Sequence, residues 1–330
     1  MTNANQQLRA ILAKEFTEAG RDRFFLLLTI FVAAAALASV LTGAIALKFD
    51  VATYESAKQT LLALGKSLSA IAAPEFYPLK LLRGAVEQIE IIGAVIGILI
   101  GFRSASSERE RQRLVLLLSR PVSSGLFLLG KIIAGLTQIS LSLGAVFITL
   151  TLALVISSGV PLGLDDLTRI VLTWGLSTLY IQFFFLLAFS LTLRLKRPGT
   201  ALLISFVVWL VFVLIAPQVG DTLDPDNQVA GGVFKQLHIP KSQQELIKQS
   251  YASYETLRNG IESASITKHF ERATFAILGI KDTYTGKPIG PILTEKLADI
   301  LALLIASLAA LFATLLQPLN FERIEQEETL

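Results

Sequence analysis

The sequence predicts an all-α polytopic membrane protein: six transmembrane helices, an N-terminal amphipathic elbow helix, and a helical external insert between helices five and six. Three observations predict it. Of 330 residues, 53% are hydrophobic and only 17% charged, with a mean hydropathy of +0.62, whereas a soluble domain carries roughly a quarter charged residues. The apolar residues lie in uncharged blocks, Phe24–Leu47, Ile132–Ser157, Ile170–Leu193 and Ile300–Leu319. Each is about 20 residues or more, the length that crosses a ~30 Å hydrocarbon core. The charges gather between the blocks, above all in one dense stretch after Phe102.

Taken in order, residues 1–23 form a cytoplasmic elbow. Leu8, Ile11, Leu12 and Phe16 fall at i, i+3, i+4 and i+8 on one helical face. That face suits either the membrane interface or packing on protein. A cleaved signal peptide has a short basic start; Glu15, Glu18 and Asp22 argue against one here. Residues 24–219 carry the first five spans. The second, Leu81–Phe102, is interrupted near its start by Arg83, Glu87 and Glu90, and the third and fifth are Phe127–Ser157 and Gly199–Val219. The insert covers 220–293, the sixth span 294–319, and a Glu-rich tail 320–330.

Orientation follows from Lys and Arg in the short loops. With the amino terminus inside, the cytoplasmic pieces hold Arg9, Lys14, Arg21 and Arg23, then Arg103 to Lys131, then Arg194, Lys196 and Arg197. The short external loop then contributes only Arg169. Both termini are therefore expected in the cytoplasm, with the chain in the plasma (inner) membrane. The insert falls outside, where residues 220–297 hold nine Lys/Arg against nine Asp/Glu. Ser242 to Glu245 reads as a capping box before an apolar seam of Ile247, Tyr251, Tyr254, Leu257 and Ile261. A second helix is expected over Ile266–Leu278, offering Phe270, Phe275 and Ile277 for packing. The insert can pack on itself or a dimer mate, or serve an extracytoplasmic partner.

The other totals exclude chemistry. There is no cysteine, and the two histidines, His238 and His269, stand far apart without ligand-like neighbours, so no metal site is expected. The scattered basic residues form no stripe for nucleic acid. Gly125 to Lys131 matches G-x-x-x-x-G-K, but Ile132 replaces the hydroxyl that would hold Mg²⁺ and the intervening residues are bulky and apolar. The chain is expected not to be an enzyme.

The stretch from Arg103 to Lys131 carries the function. Ser106 or Ser107 can cap a helix, Glu108 and Glu110 suit its first turn, and Pro121 ends it, which places a short helix over 104–121. Leu114 to Leu118 are five consecutive apolar residues that must dip into the membrane or fill a groove on a partner. Glu108-Arg109-Glu110, Leu114, Leu117-Leu118-Ser119-Arg120-Pro121-Val122 and Gly130-Lys131 resemble the hallmark of ABC-2 type transporter permeases. The elbow and the six spans resemble that family's plan too. Where the family commonly has Gly-Thr before the Leu, this chain has Gln112-Arg113. The resemblance implies that Glu108, Arg109, Arg113, Leu114, Leu117, Leu118, Ser119 and Pro121 form a coupling helix seated on an ABC ATPase subunit. It also implies two ATPase copies, with ATP and Mg on those partners, and a second permease copy or homologue.

Within the membrane, Glu87 and Glu90 share one face of span two; they either snorkel, with Glu87 paired to Arg83, or line an external vestibule. Gly93, Gly97 and Gly101 permit close helix approach, within the chain or between subunits. Gln138 and Gln182 suit interhelical hydrogen bonds or a cavity. The expected function is the permease subunit of an ATP-driven exporter. A scaffold that relays ATP-driven motion to an external partner is the alternative. A secondary transporter, which would show repeats and midplane acids, is the lesser one.

Overall fold

Two spans form the centre of the bundle because their neighbours are protein. In the computed structural model, which describes residues 4–21, 23–64, 77–110, 124–223, 233–237, 239, 243, 252–281 and 283–316, no strand occurs among these residues and six helices are long and apolar enough to cross a membrane. The elbow is α1 (Ala4–Arg21) and span one is α2 (Arg23–Ala63). Span two is one continuous helix of four pieces: a 3₁₀ turn Pro78–Leu82, α3 (Arg83–Gln88), a π turn Ile89–Gly93 and α4 (Ala94–Glu110). Spans three and four are α5 (Ser124–Ser158) and α6 (Leu164–Arg194). Span five is α7 (Pro198–Trp209), a π turn Leu210–Ile215 and α8 (Ala216–Leu223). The insert contributes α9 (Val233–Gln236), α10 (Ala252–Ala264), α11 (Ile266–Ile277) and α12 (Ile289–Glu295), and span six is α13 (Leu297–Leu316). Spans two and four have the lowest mean hydropathies, 1.9 and 1.8, and are 50% and 72% buried, against 17% for spans one, five and six. A helix surrounded by protein can carry small and polar residues that a lipid-facing one cannot.

Glycine brings the central pair together. A Cβ added at Gly97 would lie 2.6 Å from the Ile181 carbonyl oxygen, and one at Gly93 2.7 Å from Ile181 Cδ1. At Gly101 it would overlap the Phe185 carbonyl. Positions four apart on α4 thus meet positions four apart on α6, backbone against backbone. These glycines face a helix of the same chain.

The insert folds back along the spans. α10 and α11 form a hairpin whose apex, Ser265, donates its hydroxyl to the Phe212 carbonyl in the π turn of span five (2.9 Å). α11 buries Phe270 on Tyr180, near the middle of α6, with ring centroids 4.5 Å apart and stacked. Gly279, at φ 64, then turns the chain out of α11, and Ile280 N–H bonds back to the Phe275 carbonyl (2.9 Å). Arg169, fully buried in α6, pins this exit. It donates to the carbonyls of Ile277 (2.7 Å) and Lys287 and pairs with Asp165 (2.6 Å).

Several boundaries differ from the sequence expectation. α2 runs on past Leu47 to Ala63, because nothing between Gly43 and Gly65 breaks a helix. Ser106 and Ser107 cap nothing. They continue α4, where Ser107 Oγ bonds back to the Ser104 carbonyl (3.3 Å), so the first turns after Arg103 extend span two. α11 ends at Ile277, one residue short of the expected boundary. The capping box at Ser242 to Glu245, with Ile247 and Tyr251, lies outside the described residues; of that seam, Tyr254, Leu257 and Ile261 lie on α10.

Substituting Gly101 by Val is expected to lower the thermal unfolding midpoint in detergent by the equivalent of about 1–3 kcal/mol or more, since backbone cannot yield as a side chain can. Gly175→Ala on the open side of α6, where an added Cβ meets nothing within 4 Å, is expected to leave the midpoint unchanged or higher. Fluorescence-detected size exclusion after heating reads both.

Candidate functional site

The elbow end of the bundle holds a junction built on a buried charge pair. Lys131 Nζ lies 2.9 Å from Glu15 Oε1, with the two side chains 1% and 10% exposed. The approach is that of an ion pair, because Glu15 Oε1 meets no hydrogen-bond geometry. The same ammonium donates to the Ser104 carbonyl (3.3 Å), and Gln138 Nε2 donates to the Glu15 carbonyl (3.4 Å). Glu15 is on the elbow, Ser104 lies near the end of α4, and Lys131 near the start of α5. The junction therefore ties together the elbow and the two helices that flank residues 111–123. One residue earlier, Gly130 admits the elbow: a Cβ there would sit 2.6 Å from Ile11 Cγ2 and 3.5 Å from Leu8 Cδ1.

This arrangement disposes of the phosphate-loop pattern. Gly125, Gly130 and Lys131 all lie on the single helix α5, so the backbone forms no open cradle and the lysine is committed to Glu15. Sequence reasoning noted the Gly-Lys pair but not its use. The signal available was a lysine in an apolar helix, which requires a buried counter-charge from somewhere.

A second cluster lies under the hairpin, where the two π turns converge. The Tyr180 hydroxyl donates to the Glu90 carbonyl (2.9 Å) and lies 3.2 Å from Thr267 Oγ1, and Trp209 Nε1 donates to the Ile91 carbonyl (3.3 Å). Glu87 and Glu90 part company. Glu87 remains at the surface, paired with Arg83 at 2.9 Å. Glu90 enters the π turn and is buried, with Glu271 and Lys268 of α11 and Glu87 as its charged neighbours. Lys268 and Glu271 pair at 2.8 Å.

Of the sequence-singled residues, Gln138 joins the elbow junction and Gln182 is half-buried on α6. Glu108 and Arg109 fall on the last turn of α4, with side chains outside the described residues. Arg113, Leu114, Leu117, Leu118, Ser119 and Pro121 lie outside the described residues altogether, as does His238. His269 bonds Asp299 (2.8 Å) and the Ser263 carbonyl (3.0 Å).

A family model described as ABC-2 family transporter protein matches residues 9–325, from the elbow through span six and into the tail. The chain belongs to the ABC-2 family transporter proteins. Comparison with curated proteins returns no match. As an ABC-2 family member with six candidate spans, the chain is a multi-pass membrane protein, a permease subunit of an ABC transporter. In this ABC-2 permease the elbow junction stands near the facing ends of the two helices on either side of residues 111–123.

Lys131→Met is expected to cost about 3–5 kcal/mol of stability by stranding Glu15. Adding Glu15→Gln is expected to restore most of it. Thermal unfolding in detergent reads the difference, and equal losses in the single and double variants would contradict a direct pairing. The hydrogen bond that His269 Nδ1 donates to the Asp299 carboxylate raises His269 above its ordinary value of 6.5, against the opposing pull of burial. A raised folded-state value stabilises below the unfolded value and is lost as pH rises through the folded one. The margin of wild type over His269→Gln is therefore expected to be full below the ordinary value of 6.5 and to shrink as pH rises above it, read as the difference in unfolding midpoints.

Proposed function

We propose that the chain is the permease half of an ATP-driven exporter in the inner membrane, with both termini cytoplasmic. In this reading two copies, or this chain and a homologue, engage two ATPase subunits that bind ATP and Mg and carry out hydrolysis. The contact is the part of the segment 104–121 beyond Ser107, with Glu108, Arg109, Arg113, Leu114, Leu117, Leu118, Ser119 and Pro121 facing the ATPase. One observation carries this reading: the two helices flanking 111–123 are tied near their facing ends by Lys131, which pairs with Glu15 and donates to the Ser104 carbonyl. A push on that segment meets a rigid junction, so it is delivered to spans two and three and the elbow together.

From there the interlocked glycine contact carries span four with span two. Span five, only 17% buried within one chain, is left to meet a second copy and to re-pack against span two between the states that alternate access. ATP binding on the partner biases that two-state element. Export, in place of import, rests on the family resemblance of the connector.

Leu117→Asp is expected to abolish stimulation of the partner ATPase while the permease still inserts and co-purifies at normal yield. Paired ATPase assays on complexes reconstituted with wild-type or variant permease measure it. Stimulation at the wild-type level would remove the docking role of the segment.

A further inference from the structure

One imidazole joins three segments of the chain. His269 lies on α11. Its Nδ1 is 2.8 Å from Asp299 Oδ1 at the start of span six, and its Nε2 is 3.0 Å from the Ser263 carbonyl oxygen in the last turn of α10. A neutral imidazole has one N–H donor and one lone pair. A carboxylate and a carbonyl both accept, so the two bonds exist together only when the ring carries two protons. In the neutral ring one nitrogen lone pair would face an oxygen. The place of Ser263 adds to this, because the last carbonyls of a helix have no amide of their own helix to meet and the helix dipole favours a cation beside them.

Among the described residues, the charged groups that act on His269 are Asp299 of span six and Arg272 of its own helix. Arg272 is paired with Glu262 of α10. Other charges on α11 and on the helices packed against it have partners of their own: Lys268 with Glu271, Arg83 with Glu87, Arg169 with Asp165, and Lys296 with Glu295. Glu90 looks toward Glu271, Lys268 and Glu87. The bond to Asp299 does most to raise the ring above its ordinary 6.5, burial opposes it, and the Ser263 carbonyl raises it further. The doubly protonated ring therefore persists below 6.5 and is lost as pH rises through the raised value. Once one proton has left, the remaining N–H goes to the stronger acceptor, the carboxylate, and the Ser263 carbonyl loses its donor.

We propose that His269 is a proton-operated clamp: doubly protonated it fixes the end of α10 to span six, and singly protonated it lets α10 pivot on the Glu262–Arg272 pair. α10 packs along α8, the end of span five, so the clamp sets how the insert joins spans five and six. The device lies wholly within this chain, and its test needs no ATPase.

The chain has no cysteine, so spin labels go only where a cysteine is introduced. Gly260→Cys on α10 and Leu301→Cys on span six, both exposed positions, report the distance between the two helices by double electron–electron resonance on the full-length protein in detergent. His238→Gln leaves His269 as the one histidine, and nitrogen-15 NMR then counts the protons on its ring. Below pH 6.5 both ring nitrogens are expected to be protonated and the labels to give one narrow distance distribution. As pH rises the distribution is expected to broaden, with its midpoint at the titration midpoint of the ring. His269→Gln is expected to give the broad distribution at every pH. Asp299→Asn is expected to move the NMR and distance midpoints to lower pH together; if His269→Gln fails to fold, this variant decides. A singly protonated ring below pH 6.5 overturns the proposal. So does a distribution that stays narrow while the ring titrates, one that broadens with pH in His269→Gln as in the wild type, or two midpoints that part in Asp299→Asn.

Discussion

The bundle depends on two helix backbones touching. Where span two meets span four, the nearest atoms at Gly97 and Gly101 are peptide carbonyls and amides, joined at Gly97 by the Cγ2 of Ile181. Lipid tails are as apolar as Leu, so helices in a membrane gain little from burying oily side chains against each other. They gain from close dispersion contact, and only glycine allows it at this distance. The aromatic side of α6 then completes the fit. Phe185 and Phe189 stack at 5.7 Å beside the glycine row, and Phe185 also fills the space over Gly135 on α5. Three spans are thereby locked to one another, and spans one, five and six pack around them with most of their surface turned outward.

The same scarcity of water governs the charges. Two of the buried ionic groups in the spans are matched by partners that hold two chain segments together. Lys131 joins the elbow to the third span, and Arg169 joins the fourth span to the end of the insert. Removing a charge from water costs several kcal/mol before any gain from its partner, so such pairs contribute little net stability. They do make one arrangement of segments far better than its neighbours. A register shift of α1 along α5 would strand both Glu15 and Lys131, which fixes where the elbow sits.

Much of this plan was legible in the sequence, for physical reasons that also explain the remainder. Uncharged blocks such as Phe24–Leu47 announce a span directly, because hydropathy is a property of the block itself. α11 was legible because Phe270, Phe275 and Ile277 fall on an apolar helix bounded by a serine before it and Gly279 after it. The row Gly93, Gly97 and Gly101 announced a close helix contact but left its partner open, since a glycine row is half of an interface. In the sequence Arg169 reads as loop-side positive charge, and Lys131 as loop-side charge and as the lysine of the Gly-Lys pair. The counter-charge of Lys131 lies far along the chain, and apart from Asp165 one turn away the acceptors of Arg169 are backbone carbonyls that no side-chain pattern records. The separation of Glu87 from Glu90 was invisible for another reason. A regular helix puts i and i+3 on one face, and the π turn at Ile89 changes that phase without any proline or glycine at its start to mark it.

The two π turns give the hairpin a specific place to rest. A π turn loosens the regular ladder of i→i+4 bonds, and each of these turns is braced by side chains from elsewhere: Tyr180 and Trp209 on span two, Ser265 on span five. Trp209 belongs to span five and reaches span two, while Ser265 belongs to the insert and reaches span five. The irregular turns of the two spans are therefore held by hydroxyl and indole donors, which can detach and re-form with little change in covalent geometry. A regular helix offers its neighbour only side chains, and sliding it requires unpacking a face. Here span five packs on span two and adds one directional bond, from the Trp209 indole to the Ile91 carbonyl, beside the close glycine contact of spans two and four. The apex of the hairpin at Ser265 sits on the π turn of span five, so the insert is joined to the less buried of these two spans.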